Sequence, residues 1–330
     1  MREFFQQFAD LNILIIGDVM MDTYLWGKVD RISPEAPVPI VSVTKKENRL
    51  GGAANVALNI QALGATPIIC AVIGDDIEGD IFLKLLHEQD LKETGIIRVK
   101  DRPTTVKTRI IGHKQQVLRV DAETDKAVNE RTTQQLLDKI NRILSEQPVD
   151  AIIFEDYDKG AVTPQLIEKV VKLANEKSII TVVDPKKRNF LNYQGVSLFK
   201  PNLKEIREGL KIEFDPRNYE ELRQAGTALR KKLNAEKVLI TLSELGVYIQ
   251  TGNGEKLIPA HIRDISDVSG AGDTVISTMT LCLAAGIDDF TAAAIANLAG
   301  GLVCEYVGVV PVNKELLLKE CLKLNVDQTV

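Results

Sequence analysis

The stretch DVSGAGDT, residues 267–274, sets two acids around a run of small residues, and an apolar helical pattern follows at once. Gly270 and Gly272 have no side chain and Ala271 only a methyl group, so an anion can come close to the backbone. At a helix start the first-turn N–H groups lack a partner one turn earlier and carry partial positive charge. Gly270, Ala271 and Gly272 therefore read as a hole for phosphoryl oxygens. Asp273, in the first turn, is either a helix-favouring acid or a general base that takes a proton from a hydroxyl attacking a bound phosphoryl group.

The surrounding chain suits such a site. Short β-branched runs, ILIIG at 13–17, PIICAVIG at 67–74, DAIIFED at 150–156, SIITVVD at 178–184 and KVLITLS at 237–243, alternate with amphipathic patterns. Continuous apolar strands are buried on both faces, which predicts a mainly parallel sheet between helices at 53–63, 130–144, 164–174, 218–232 and 271–284. The fold class is α/β, a three-layer α/β/α sandwich in one domain over residues 1–330. Residues 18–44 and 96–121 break the rhythm with strands and no helix between them, and predict a small antiparallel β lid able to exclude water.

Composition narrows the partners. The 330 residues are 45% hydrophobic and 26% charged, with a net charge of -5, so nucleic acid and anionic membrane are disfavoured and a small molecule is favoured. The apolar run in the N-terminal MREFFQQFADLNILIIGD is too short for a signal peptide or a membrane span. Cys70, Cys282, Cys304 and Cys321 form no CxxC pair and read as buried free thiols, which fits the cytoplasm. His87, His113 and His261 are scattered, so solvent-facing or core roles are expected rather than metal ligation. Neither GxxxxGK[ST] nor GxGxxG occurs, which disfavours a P-loop kinase and a dinucleotide-binding oxidoreductase.

Polar residues that could hold a sugar lie at strand ends and helix starts. In GGAANVALNIQALG, residues 51–64, Gly51 and Gly52 permit close approach, and Asn55 either caps the helix or bonds sugar hydroxyls. Asp18 and Asp22 of GDVMMD suit paired hydroxyls. Lys107, Arg109 and Arg119, with Asp121 close behind, are either a solvated strand face or a grip on a phosphate already on the substrate. EDYDKG at 155–160 and VDPKKRNF at 183–190 also end strands, and Lys186 of the second could meet nucleotide phosphates. In KPNLKE, Asn202 either caps a helix or works with Glu205 to order water around Mg²⁺.

Taken together, GGAANVA, NLKE and DVSGAGDT resemble the elements of the ribokinase-like, or PfkB, carbohydrate kinases, over nearly the whole chain. DRISPEAPVPIV, DYDKG, VDPK and KPNL are most similar to the branch that phosphorylates D-glycero-β-D-manno-heptose 7-phosphate on its anomeric hydroxyl, a step toward ADP-heptose for lipopolysaccharide. The resemblance implies ATP and Mg²⁺ and leaves a monovalent-cation requirement open. It implies Asp273 as base, Gly270 to Gly272 as anion hole, and Asp18, Asp22, Gly51, Gly52, Asn55, Asp156 and Lys159 on the sugar. Lys186, Asn202, Ser243, Gly246, Val268 and Asn297 fall to the nucleotide, and Glu205 to the metal through water.

The chain departs from the family pattern at TLSELG, residues 241–246, at Pro311 and Val312, and at Glu155, where a small residue is usual. No FDxxHxGH-like segment is present, so a separate nucleotidyltransferase is expected downstream. Apolar lid strands predict a homodimer through the lids. The alternatives are another acceptor, such as fructose phosphate or ribose, and a silent sugar or nucleotide sensor.

Overall fold

Alternate residues of the first strand enter two different cores. Ile13 and Ile15 pack on one side of the sheet, Leu14 and Ile16 on the other, and this two-sided burial is why the run is continuously apolar. The computed structural model describes residues 1–112, 115–261 and 263–326. Its strands, numbered in chain order, are β1 Asn12–Gly17, β2 Val19–Ile32, β3 Pro39–Gly52, β4 Thr66–Gly74, β5 Gly95–Val99, β6 Val106–Gly112, β7 Gln115–Ala122, β8 Ala151–Glu155, β9 Ile180–Asp184, β10 Leu198–Phe199, β11 Lys237–Thr241, β12 Val247–Gln250 and β13 Glu255–Ile258. The helices are α1 Arg2–Gln7, α2 Ala53–Ala62, α3 Ile77–Glu88, α4 Glu130–Glu146, α5 Pro164–Glu176, α6 Leu203–Leu210, α7 Tyr219–Leu233, α8 Ala271–Ala284, α9 Asp289–Val303 and α10 Lys314–Lys323.

Nine strands form one sheet in the order β13-β12-β11-β10-β9-β8-β1-β4-β5, parallel except for the antiparallel pairs β11 with β12 and β12 with β13. One face carries α2, α3, α8, α9 and α10, the other α4, α5, α6 and α7, so the expected three layers are present. The order of strands reverses at β1, between β8 and β4, and the functional residues gather beyond the carboxyl ends near that point.

A second sheet, in the order β3-β2-β6-β7, is the lid. Its β2–β6 pair is parallel and its other two pairs antiparallel. Its limits differ from the expected ones. The run from residue 96 first completes β5 at the edge of the large sheet, because Ile96 and Ile97 enter the two cores. The first insertion continues to Gly52, which pairs with Val19.

The four cysteines are buried and free. Among the described residues no helix is long and apolar enough to cross a membrane. His87 is exposed beside Glu93 and His261 is exposed, whereas the expectation for His113 lies outside the described residues.

Candidate active site

Gly270 is the N-cap of α8 with φ +80°, a left-handed conformation in which a Cβ would be strained and would lie 3.2 Å from Asn55 Nδ2. The Ala271 N–H leans on the Val268 carbonyl, leaving the amides of Gly272 and Asp273 without a backbone partner among the described residues. Two unpaired amides at a helix start are suited to oxyanions.

Asp273 lies just inside this turn and is 6% exposed. Asn55 Nδ2 donates to its Oδ2 at 2.6 Å, and the Tyr157 hydroxyl donates to its Oδ1 at 2.9 Å. Burial pushes its pKa up to about 6, opposed by the Asn55 hydrogen bond and reinforced by the Asp184 charge. A carboxylate raised toward neutrality is better matched to accepting a proton from an alcohol.

Asn55 is not the helix cap. Gly52, with φ +59°, holds that position, and its left-handed backbone lets the chain turn directly from β3 into α2. The Asn55 Oδ1 is buried and has no hydrogen-bond partner among the described residues. One turn on, Asn59 accepts from the Thr274 hydroxyl and the Val312 amide, tying α2 to α8 and to the segment before α10.

The acids at the strand ends divide by task. Asp18 accepts the amides of Tyr157, Lys159 and Ala161 at 2.9 to 3.0 Å, and Asp156 accepts from Asn189, Tyr193 and the Asp158 amide. These two were expected on the sugar. Both oxygens of Asp18 are engaged by amides of the 157–161 turn, which a reversal this tight needs satisfied, whereas Asp156 gives one oxygen to the Asp158 amide and the other to Asn189 and Tyr193. Asp22 remains available, with Oδ1 paired to Arg109 at 2.5 Å. Gly51 makes room for it: a Cβ there would come within 2.4 Å of Asp22 Oδ2.

Three acids cluster beside α8. Glu155, Asp184 and Asp273 each offer one carboxylate oxygen, all within 4.8 Å of one another. Burial, then the Asp184 and Asp273 charges, hold the Glu155 carboxyl well above its usual range. Lys200 Nζ lies 2.7 Å from Asp184, and both side chains are buried.

A cleft of about 650 Å³ opens from Asp273 toward Ser243 and Asn297, and Lys186, Asn202, Gly246, Val268, Gly270 and Gly272 also line it. The expected nucleotide residues thus share one cavity with the expected base. Gly246, with φ +94°, is forced: a Cβ would come within 2.0 Å of the Ile258 carbonyl oxygen. Asn297 donates to the Pro259 carbonyl.

Asn202 and Glu205 form a reciprocal capping box at the start of α6, and Glu205 also receives Lys186 at 2.6 Å. The expected water-mediated hold of Glu205 on a metal thus competes with two internal bonds. Lys186 also lies 5.3 Å above the Tyr157 ring, bringing its charge to the cleft wall.

On the lid, the register sets Asp22 opposite Arg49 and Lys107, Lys107 opposite Asp121, Tyr24 opposite Arg109, and Arg109 opposite Arg119. Residues directly opposite share a face, so the lid cations form one charged surface around Asp22. Within it Lys107 and Lys159 share Glu123, at 3.8 and 2.7 Å, and Arg119 pairs with Asp121 on the outer strand.

Sequence reasoning missed Tyr157, Glu155, Lys200, Arg49 and Arg102 and gave Asp184 no role. Tyr157 and Glu155 stood in a noted strand-end motif, EDYDKG, whereas nothing local marks Lys200. Arg102 donates to the Lys159 carbonyl while its Nε and Nη1 are buried with no partner among the described residues.

A buried acid held by an amide and a phenol at an amide-lined helix start, over a long cleft and under a charged lid, has the parts of a carbohydrate kinase. Residues 10–315 match the model of the pfkB family carbohydrate kinases, and the chain belongs to that family. It is 38% identical over 297 residues to the Bifunctional protein HldE of Helicobacter pylori (strain HPAG1), covering 90% of this chain and 63% of that one. It is 40% identical over 297 residues to the Bifunctional protein HldE of Wolinella succinogenes, covering 90% and 62%. The chain therefore spans about three-fifths of the length of these relatives. The fold is similar to that of phosphofructokinase-2 from Escherichia coli in complex with potassium, with TM-score 0.78, 18% identity and coverage of 96% of this chain and 99% of that one. It is also similar to ribokinase from Thermotoga maritima, with TM-score 0.69, 18% identity and coverage of 94% and 99%.

Proposed function

We propose that the protein transfers the γ-phosphoryl group of ATP to the anomeric hydroxyl of D-glycero-β-D-manno-heptose 7-phosphate, giving the 1,7-bisphosphate. The observation that carries this reading is the buried Asp273 carboxylate beside two amides at the start of α8 that lack a backbone partner among the described residues. The acceptor hydroxyl displaces the Tyr157 hydroxyl from Oδ1 and gives its proton to Asp273. Its oxygen forms the new bond to the γ-phosphorus as the bond to the β–γ bridging oxygen breaks, and ADP leaves with that bond's electron pair. The amides of Gly272 and Asp273 and the helix start take the charge on the transferred group. Asn55 Oδ1 and Asp22 accept from sugar hydroxyls.

Mg²⁺ bound with ATP would neutralise phosphate charge, and the buried carboxylates at this end of the sheet, one of them with an oxygen lacking a partner, suit such an ion. Lys107, Arg109 and Lys159, with the two unpartnered nitrogens of Arg102, provide for a phosphate already on the sugar. The likeness of DRISPEAPVPIV, DYDKG, VDPK and KPNL to the heptose branch supports this acceptor. The opposite lid face exposes Leu118 and Val120, which supports pairing of two copies through their lids.

The test is ADP release with ATP and, in turn, heptose 7-phosphate, fructose 6-phosphate and ribose. Heptose 7-phosphate should give the highest kcat/KM and unphosphorylated sugars should be poor acceptors. A preference for ribose would overturn the acceptor assignment. Thermal stabilisation by a sugar without turnover of any would make the protein a sensor.

A further inference from the structure

Both oxygens of the Asp273 carboxylate are occupied: Asn55 Nδ2 donates to Oδ2 at 2.6 Å and the Tyr157 hydroxyl to Oδ1 at 2.9 Å. The two donors differ in freedom. Asn55 lies within α2 and is 1% exposed, whereas Tyr157 is half-buried and lines the cleft beside Asp273. The Tyr157 main chain is fastened, since its amide donates to Asp18 at 2.9 Å and the amides of Lys159 and Ala161 donate to the same carboxylate. With the turn held in this way, the ring can leave Asp273 by rotating about its own side-chain bonds. Lys186 Nζ, itself held by Glu205, lies 5.3 Å from the ring centroid and steadies the ring where it is.

A carboxylate facing bound ATP is a base for water as well as for an alcohol. Water on Oδ1 would give its proton to Asp273, and its oxygen would bond to the γ-phosphorus as the bond to the β–γ bridging oxygen broke. ADP would leave with that electron pair, and inorganic phosphate would form with no sugar changed. The Tyr157 hydroxyl stands where that water would stand.

We propose that Tyr157 is a plug on the base, filling the acceptor place at Asp273 Oδ1 until a bound sugar displaces it, and so selects an alcohol over water. This role rests on the proposed transfer from ATP through Asp273, not on which sugar accepts. A sugar held at several hydroxyls presents the reacting one at high effective concentration and displaces a single hydrogen bond of small net worth, whereas a lone water has no such hold. Tyr157 acts through Asp273 and is a positioning residue.

The experiment compares ADP release by the full chain with ATP and Mg²⁺, first without acceptor and then with heptose 7-phosphate, in the wild type, Tyr157→Phe, Asp273→Asn and the double variant. Tyr157→Phe keeps the ring and removes the donor; if it does not fold, Tyr157→Leu takes its place. Acceptor-free hydrolysis should rise at least tenfold in Tyr157→Phe and fall back to the wild-type level or below in the double variant. KM for the acceptor should fall roughly 2- to 10-fold, the size of one hydrogen bond that no longer has to be displaced. A merely structural loss would raise that KM and slow both reactions. Acceptor-free hydrolysis that is unchanged or slower in Tyr157→Phe overturns the plug, as does a rise that survives Asp273→Asn. Phosphate found on Tyr157 by mass spectrometry after incubation with ATP alone also overturns it, because the phenol would then be an acceptor. If heptose 7-phosphate is not phosphorylated, the acceptor assignment falls while the acceptor-free comparison still decides the plug, and the reverse holds.

Discussion

At the rim of the large sheet the acids are sealed in: Asp18, Asp156, Asp184 and Asp273 are 2, 1, 6 and 6% exposed, and their oxygens are held by amides, a phenol or Lys200. On the lid the charges are paired but wetter, and the Arg119 side chain is half exposed where it meets Asp121. Burial makes each charge at the rim act strongly and fixes its geometry, which suits bond making. The Lys107, Arg109 and Lys159 side chains are 17, 18 and 16% exposed, less sealed than the rim, and a pair nearer solvent is weaker and more easily exchanged for another anion. On the proposed function, chemistry and selection would be separated by the depth at which the charges are kept.

Substitutions should split along the same line. Asp273→Asn, at the rim, should lower kcat by about 10² to 10⁴-fold, the usual contribution of a general base, while calorimetry finds sugar and nucleotide binding nearly intact. Undiminished turnover would remove Asp273 from its role. Arg109→Ala, on the lid, should raise KM for a phosphorylated acceptor by roughly 10 to 100-fold, the size of a lost charge-assisted hydrogen bond, with kcat within a few-fold of wild type. That KM should rise with salt in the wild type more than in the variant. A fall in kcat as large as that of Asp273→Asn would erase the distinction between the two regions. The smallest effect belongs to the outer lid face. The pair Leu118→Lys and Val120→Lys should shift the protein from dimer to monomer by light scattering, with monomer stability changed by about 0.5 kcal/mol or less.

The helices at 130–144, 164–174 and 218–232 were legible because each shows an apolar face to one core at a regular spacing, and those at 53–63 and 271–284, buried on nearly all sides, through their glycine-led starts; the structure has helices there within two residues at either end. The strands at the centre of the large sheet were legible for the opposite reason, being runs of nearly continuous apolar residues. Residues 96–99 misled because a short apolar run looks alike in a lid and at a sheet edge; only the two-sided packing of Ile96 and Ile97 separates them. In the site, Asp273 stood out through its small neighbours. The partners that tune it did not, since Asn55 is 218 residues away along the chain and Tyr157 is 116. The internal bonds of Asp18 and Asp156 were not legible either, because an acid at a strand end reads the same whether it faces a ligand or fastens a turn.

Strands β2 and β3 leave the rim as a ribbon of fourteen residues each, buried at the root around Asp22 and exposed toward Ile32 and Pro39. At about 3.3 Å per residue the ribbon is an arm roughly 45 Å long, and the register slips at Trp26/Gly27 and Val29/Arg31 bend it partway out. A lever of this length multiplies angle into distance. A small tilt at the root, beside Asp22 and Gly51, would sweep the tip through several times the displacement at the root, so in the proposed pairing through the lids a clamp on the tips would govern how far each mouth opens.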